Sequence, residues 1–454
     1  MIKSYKKTLA VAIAASVFSA GAAAQVPYAK GEGPLSWQNL EHFESMDLSG
    51  QTVTVFGPWM SPEGGYFTDV VSVFEQATGA RVQYTGSDGF EQQIVIDAQA
   101  GSPPNIAVFP QPGLAAGLAQ QGLLTPLGDS AANYVRNNFA AGDNWVDLGT
   151  YADRNGTERY YAVPFNVNVK SLVWYSPDNF TDFGYEVPNT MEELIALSDR
   201  MVADGNTPWC IGLGSGPATG WPATDWVEDF MLRLHSPDVY YGWVDNTVKF
   251  NDPRVLEAIE LFGQFAKNDD YVAGGSSAVA TTDFRVSAEQ LMDFPPSCFM
   301  HRQASFAQVF FDEDDYVAGE DYDFFYLPPF AEKVEELGNP VLGGATFLAI
   351  TRDSEATRAL YSFLQTPLAQ ELWMVRGGFL TPHLGANLDA YASDTDRRLG
   401  EILINADVFG FDASDLMPAA IGAGTFWTGM VDFVGGASAQ QVANAVQRSW
   451  DQLN

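Results

Sequence analysis

Hydrophobic positions along the first part of the chain alternate between two periods. Thr52 to Phe56 is a short strand, and after the loop Gly57 to Gly65 the residues Phe67, Val70, Val71, Phe74 and Ala77 recur at helical spacing until Gly79. Val82 to Tyr84 begin a second strand and Phe90 to Ala100 a second helix; Ile106 to Phe109 and Leu114 to Gln121 repeat the unit. Strand followed by helix, three times over, predicts a parallel sheet covered on both faces, with ligands at the carboxyl ends of its strands. Those ends carry Trp59 and Glu63, then Ser87-Asp88-Gly89, then Gln111. A tryptophan in a Pro/Gly-rich loop suits ligand contact, with loop packing as the alternative.

The stretch around which the chain is organised is Tyr161 to Tyr175, YAVPFNVNVKSLVWY. Its alternation predicts a strand with Pro164 at its start, and the phase slips near Ser171. Asn166, Asn168 and Lys170 project from one side of its first half. A strand that shows amides and an ammonium and then turns fully apolar reads as a crossover between two lobes; an edge strand with one wet face is the alternative. Beyond it, Thr190 and Glu193 form a capping box for a helix with Met191, Leu194, Ile195, Leu197 and Met201 on its apolar face. Trp209 to Leu213 read as a strand, followed by a loop from Gly214 holding Trp221 and Trp226. The glycines of that loop miss the G-x-G-x-x-G spacing, so a dinucleotide site is excluded. Tryptophans at a strand end suit stacking on a sugar-like ligand, with packing of the next helix as the alternative. Val255 to Phe265 mark another helix; Ser297 to Ser305 and Val341 to Ile350 are candidates for a second and a third crossing. The remainder reads as helices at Ala356 to Leu364, Leu368 to Val375, Arg397 to Ala406 and Ser438 to Leu453.

Length makes two lobes the expectation, since about 430 residues exceed what one core usually holds. Residues 1–24 read as a signal peptide: Lys3, Lys6 and Lys7, an apolar run from Leu9 to Phe18, and small residues before Gln25. Residues 25–47 read as a surface leader. Without the first segment the chain has 20 basic and 57 acidic residues, a net charge of −37. That surface repels nucleic acid and anionic lipid, which excludes both as partners. In an exported protein the only two cysteines, Cys210 and Cys298, are expected to pair. The acidic run Asp312 to Asp323 lacks the EF-hand pattern and reads as a solvated face. The four histidines form no zinc spacing, and there is no G-x-S-x-G elbow and no phosphate loop, so no metal, cofactor or catalytic constellation is expected. With 57 acids a glycoside-active enzyme stays open as an alternative, as does a binder of a small cation such as a polyamine.

The stretches QTVTVFGPW, FEQATGARVQY, PPNIAVF, QQGLLTPL, YYAVPFNVNVKSLVWY, CFMHRQASF, YDFFYLPP, GGATFLAI and GTFWTGMVDFVGG, in this order from about Leu48, resemble the bacterial extracellular solute-binding proteins of carbohydrate ABC importers. PWCIGLGSG, GWPATDWVED and CFMHRQASF look most like the α-glucoside-binding group. The resemblance implies an α/β, two-lobed periplasmic-binding-protein fold of type II, each lobe a mostly parallel sheet flanked by helices, with three crossovers. It implies an N-lobe of 48–165 with 302–346, a C-lobe of 166–301 with 347–454, a monomer in the periplasm, and an inner-membrane ABC permease as partner. The substrate-binding set it implies is Trp59, Glu63, Asp88, Gln111, Asn166, Asn168, Trp221, Asp225, Arg302, Gln303, Phe306, Gly344, Thr346, Arg376, His383 and Trp427. Gln111 stands where relatives usually place an aspartate, and Ala345 where many carry a tryptophan. Such a set suits a pyranose, whose C–H face stacks on aromatic rings while its hydroxyls need paired polar partners.

Overall fold

The computed structural model describes residues 27–311, 316–405 and 408–453. The expected signal peptide lies outside the described residues, as do Asp312 to Asp315 of the acidic run. Strands β1 (Thr52–Gly57), β2 (Arg81–Gly86) and β3 (Ile106–Phe109) pair in parallel with β1 in the middle. Each leads into a helix: Glu63–Thr78, Phe90–Gln99 and Pro112–Gln120. The first helix stops at Gly79, which adopts the left-handed conformation a side chain resists, at φ 73°. After the hairpin β4 (Thr150–Ala152) and β5 (Glu158–Tyr160), the central stretch divides where its alternation slips. β6 (Ala162–Val169) joins the first sheet, whereas β7 (Leu172–Tyr175) is the middle strand of a second. Only Lys170 and Ser171 lie between them.

The second sheet pairs β7 antiparallel with β8 (Met300–Arg302) and β9 (Asp323–Tyr326). β10 (Pro340–Ile350) then returns to the first sheet and is buried at every position. It runs parallel to β11 (Val408–Phe411) at its start, antiparallel to β3 at its end, and antiparallel to β6 along most of its length, giving the order β11-β10-β3-β1-β2. Gly343 permits this crowding: a Cβ there would meet the Phe409 ring at 2.2 Å and the Asn168 carbonyl oxygen at 2.9 Å.

Apolar burial forms two cores, one around the first sheet and one among the helices Met191–Ala203, Trp221–Leu234, Pro253–Ala266, Trp427–Val434 and Ala439–Gln452. The helices Glu355–Leu364 and Pro367–Met374 belong to the first core, not to the second lobe as expected. The strand pattern of β10 shows a crossing without its direction: the strand enters the first sheet beside β3, so these two helices, next in the chain, cover that sheet. Two other expectations are corrected. Trp209 to Leu213 form no strand; Trp209 makes only single bridges to Val272 and Met300. Of Ser297 to Ser305 only β8 is extended, and Ser305–Phe310 turn as a 3₁₀ segment. Cys210 and Cys298 are joined in a buried disulfide, 88 residues apart in sequence.

Candidate functional site

The carboxyl ends of β1, β2 and β3 open on a cleft of about 900 Å³, its mouth included. Trp59 and Glu63 reach it from the loop and helix after β1, Asp88 and Glu91 from those after β2, and Gln111 from the end of β3. Its floor is the β6–β10 pair, where Phe165 and Asn166 together face the single residue Thr346 in a β-bulge. Bulges re-aim side chains, and both Asn166 and Thr346 line the cleft. Asn168, Lys170 and Gly344 continue this floor. Trp221, Phe284 and Phe306 form an aromatic wall, with ring centroids 4.9 Å apart for Trp221–Phe284 and 6.0 Å for Trp221–Phe306. Trp427 closes the far side, its Nε1 donating to Ser414 Oγ at 3.4 Å.

Both readings of the Trp59 loop have substance. The ring packs edge-on against Trp373 at 4.9 Å and beside Phe67 at 5.2 Å, yet it also borders the cleft. Trp226, by contrast, is core, packed on Trp209 and Phe265.

Beneath the floor lies a dense ionic network. Lys170 Nζ donates to Asp225 Oδ1 at 2.9 Å and to Asp412 Oδ2 at 2.5 Å, and sits 5.6 Å from the Trp221 ring centroid. Burial opposes its charge, but Asp225, Asp412, Asp415 and Glu228 overcome that and hold its pKa well above the usual lysine value. Burial likewise works to raise the Asp412 carboxyl, but the lysine keeps it below its usual range. Asp225, Glu228 and Asp412 approach closely enough to suggest a cation site. The Lys170 ammonium already serves Asp225 and Asp412, and Glu228 accepts from the backbone N–H groups of Ala413 and Ser414 at 3.1 and 3.0 Å. A metal has no share left to take.

Five of the expected site residues stand apart from the cleft lining. Asp225 is fully buried on Lys170. Arg302 spans Asp229 at 2.7 Å and Asp225 at 3.5 Å. Gln303 turns its Oε1 to the Ala304 N–H at 2.9 Å, and its carbonyl accepts from Trp174 Nε1. Arg376 pairs with Asp69 at 2.8 Å over the Tyr66 ring. His383 sits between Phe139 and the Tyr134 hydroxyl, 3.0 Å from its Nε2. Each is spent on another part of the fold. Conversely, Glu91, Phe284, Arg285, Asp412 and Asp415 line the cleft without having been expected there. Arg285 bridges Asp88 at 2.5 Å and Asp283 at 3.3 Å. Glu91 stands one residue inside a helix whose apolar spacing hides it. Phe284 and Arg285 lie in a stretch without periodicity and left no signal.

The cleft is therefore acidic: Glu63, Asp88, Glu91, Asp412 and Asp415 against Lys170 and Arg285. Enclosure by the cleft walls pushes Glu63 and Glu91 up to about 7, and burial pushes Asp225 to about 7 as well. In the unfolded chain these groups ionise near 4. Between those values the folded state holds more protons, so stability is greatest below the unfolded pKa and is lost as pH rises through about 7. Burial lowers His301 and His383 to about 4, and their contribution is complete above the ordinary histidine value of 6.5. Above about pH 6.5 only these acids act, and the melting temperature of the ligand-free protein is expected to fall from there to about pH 7.5 and to level off beyond it. A melting temperature that rises over this interval contradicts the assignment.

Comparison with known proteins places this architecture. Residues 57–371 match the family model described as bacterial extracellular solute-binding protein. The chain is 53% identical over 458 residues to the alpha-glucosides-binding periplasmic protein AglE of Rhizobium meliloti, covering 99% of this chain and 100% of the relative. It is 40% identical over 404 residues to the osmoprotective compounds-binding protein GgtB of Synechocystis, covering 89% and 93%. A chitin oligosaccharide binding protein superposes with a TM-score of 0.73 at 19% identity over 88% of this chain and 98% of that one. Maltose-bound MalE3 of T. maritima gives 0.70 at 14% over 89% and 100%. These likenesses carry the fold, the type II periplasmic-binding-protein architecture that the resemblance implied. With the family match running from the end of β1 to the helices behind the cleft, this chain belongs to the bacterial extracellular solute-binding proteins.

Proposed function

We propose that the protein captures an α-glucoside of the trehalose, sucrose or maltose class in the cleft and hands it to an inner-membrane ABC permease. The observation that carries this reading is the floor of the cleft. Asn166 Oδ1 and Gln111 Oε1 are buried without hydrogen-bond partners among the described residues, at 1% and 4% residue exposure, beside an aromatic wall. Buried acceptors left open cost free energy unless a ligand brings donors, and sugar hydroxyls bring them together with a C–H face for Trp221. The α-glucoside class rests on the relative from Rhizobium meliloti. The protein works as a periplasmic monomer of two lobes, one around each core, and binds its sugar without turning it over. Closure of the lobes on the sugar shifts the equilibrium that a permease reads.

Isothermal calorimetry with trehalose, sucrose and maltose tests this, with prolonged incubation to look for released glucose. Binding of at least one without glucose release supports it; release of glucose favours a glycoside-active enzyme. Trp221→Ala is expected to weaken binding by roughly 1–4 kcal/mol, by analogy with buried aromatic anchors. Asn166→Ala strands sugar hydroxyls that lost water on closure and is expected to cost about 1–3 kcal/mol. Trp221 is half-buried at the cleft wall, so its loss should leave the ligand-free melting temperature nearly unchanged. Trp427 is only 3% exposed, packs against the Gly220 turn and bonds Ser414, so its truncation should lower affinity and stability together. If Trp221→Ala lowers stability and leaves affinity intact, Trp221 is core and the aromatic wall is not a sugar platform.

A further inference from the structure

One corner of the cleft is crowded with acceptors, Glu91, Gln111 Oε1 and Asp415. Gln111 Nε2 donates one of its two N–H groups to Glu91 Oε1 at 3.2 Å, and among the described residues its buried Oε1 has no partner. Asp415 stands close by, since the turn that carries it lies against the helix beginning at Pro112; a Cβ on Gly113 would meet the Leu416 carbonyl oxygen at 2.8 Å. Among the described residues the Asp415 carboxylate receives no hydrogen bond and no ion pair, although the residue is only 7% exposed. Its backbone N–H is turned the other way, to Asp412 Oδ1 at 2.8 Å. Both cations of the cleft are engaged elsewhere, Lys170 on Asp225 and Asp412, Arg285 on Asp88 and Asp283.

A single sugar hydroxyl carries one proton and satisfies one of these three acceptors. An ammonium group carries three protons and neutralises charge as well. Resting on the glucoside reading above, we propose that the Glu91–Gln111–Asp415 corner is a subsite for a protonated amino group, and that the cleft takes amine-bearing glycosides more tightly than the parent sugar while rejecting anionic ones. Among the described residues neither Glu91 nor Asp415 has an ion pair of its own, although the charge of Lys170 reaches Asp415. Burial raises both acids: Glu91 to about 7, with the field of Asp88 adding to it, and Asp415, with Asp412 adding most and Glu91 least. An ammonium placed between them restores the charged forms and expels their protons. A uronate or phosphate ester in the same place adds a further negative charge to an already acidic lining. The cleft thus discriminates by charge, not by shape alone.

The test compares, at pH 7, whichever of trehalose, sucrose and maltose binds tightest with its monoamino derivatives at C2 and C6 and with its C6 carboxylate. Calorimetry in two buffers of different ionisation heat also counts the protons released. At least one amino derivative is expected to bind about tenfold tighter than the parent or better, as one added ion pair in a partly desolvated site warrants. Its binding should release protons that binding of the parent does not, and the carboxylate should bind more weakly than the parent. In Glu91→Gln the ratio of amino-derivative to parent affinity should fall toward one. Parent binding with no amino derivative ahead of it overturns the subsite and leaves the glucoside reading standing, and so does a carboxylate that binds as well as the parent. Binding of none of these ligands overturns the glucoside reading and the subsite with it.

Discussion

Lys170→Met is expected to cost the ligand-free protein roughly 3–5 kcal/mol of stability, the usual consequence of removing one partner from a buried ion pair. Lys170 is 7% exposed, and the acids it holds, Asp225 and Asp412, are 0% and 1% exposed. Without the ammonium, Asp225 keeps only Arg302, at 3.5 Å, and Asp412 keeps the Ser414 hydroxyl and the Asp415 N–H. Glu228 and Asp415, which burial already pushes well above the ordinary carboxyl range, then face two uncompensated carboxylates. The loss should appear in urea unfolding and should shrink as pH falls, because protonation supplies what the lysine did. Lys170→Met combined with Asp412→Asn should be less damaged than Lys170→Met alone. Sugar affinity should fall in both, since Lys170 underlies Trp221 and borders the cleft. A single variant as stable as the parent protein would mean that the buried acids are held neutral without help, and the network would lose its assigned role.

Lys170 also shows what a reader of the sequence sees and misses. Its stretch announced itself: β-branched and aromatic alternation, a polar set at Asn166, Asn168 and Lys170, and a slip at Ser171. The structure breaks the strand there, between β6 and β7. The three parallel strands and their helices were equally plain, because apolar periods and a left-handed Gly79 are local signals. What the sequence did not show is partnership at long range. Asp225 and Asp412 are 187 residues apart and share the Lys170 ammonium. Arg302 and Arg376 look like sugar ligands as isolated side chains, yet each is claimed by a carboxylate whose position depends on the fold. Carboxylates are so numerous that no spacing singles out Glu91 or Asp415. Phe284 and Arg285 sit in an irregular stretch whose course is set by packing. The direction in which β10 crosses was equally hidden, since a fully buried strand reads alike from either end.

The disulfide is where composition alone reached a three-dimensional contact, and removing it should have the second large effect. Cys210→Ser with Cys298→Ser opens a loop spanning 88 residues, and the chain-entropy account assigns roughly 4–5 kcal/mol to such a closure as an upper figure. The loop contains the helices Trp221–Leu234, Pro237–Val244 and Pro253–Ala266, which make up much of the second core. It also carries Trp221, Phe284 and Arg285 to the cleft. Neighbouring backbone bonds do not substitute for the bridge. The Cys210 N–H donates to the Met300 carbonyl and the Cys210 carbonyl meets His301 Nδ1, both at 2.8 Å, yet these form after the chain has closed and do not restrict the unfolded ensemble. Both cysteines are at most 1% exposed, so thiol reagents cannot reach the bridge in the folded protein. The parent protein should show no reactive thiol when denatured without reductant, and reduction should require unfolding first. The double variant should unfold at much lower urea concentration while, where folded, it binds sugar as the parent does, because neither cysteine borders the cleft. If the variant loses less than about 1 kcal/mol, the second core closes the loop unaided and the unfolded state is already compact there. If sugar affinity falls while stability holds, the bridge instead positions the segment bearing Phe284 and Arg285, and the aromatic wall depends on it.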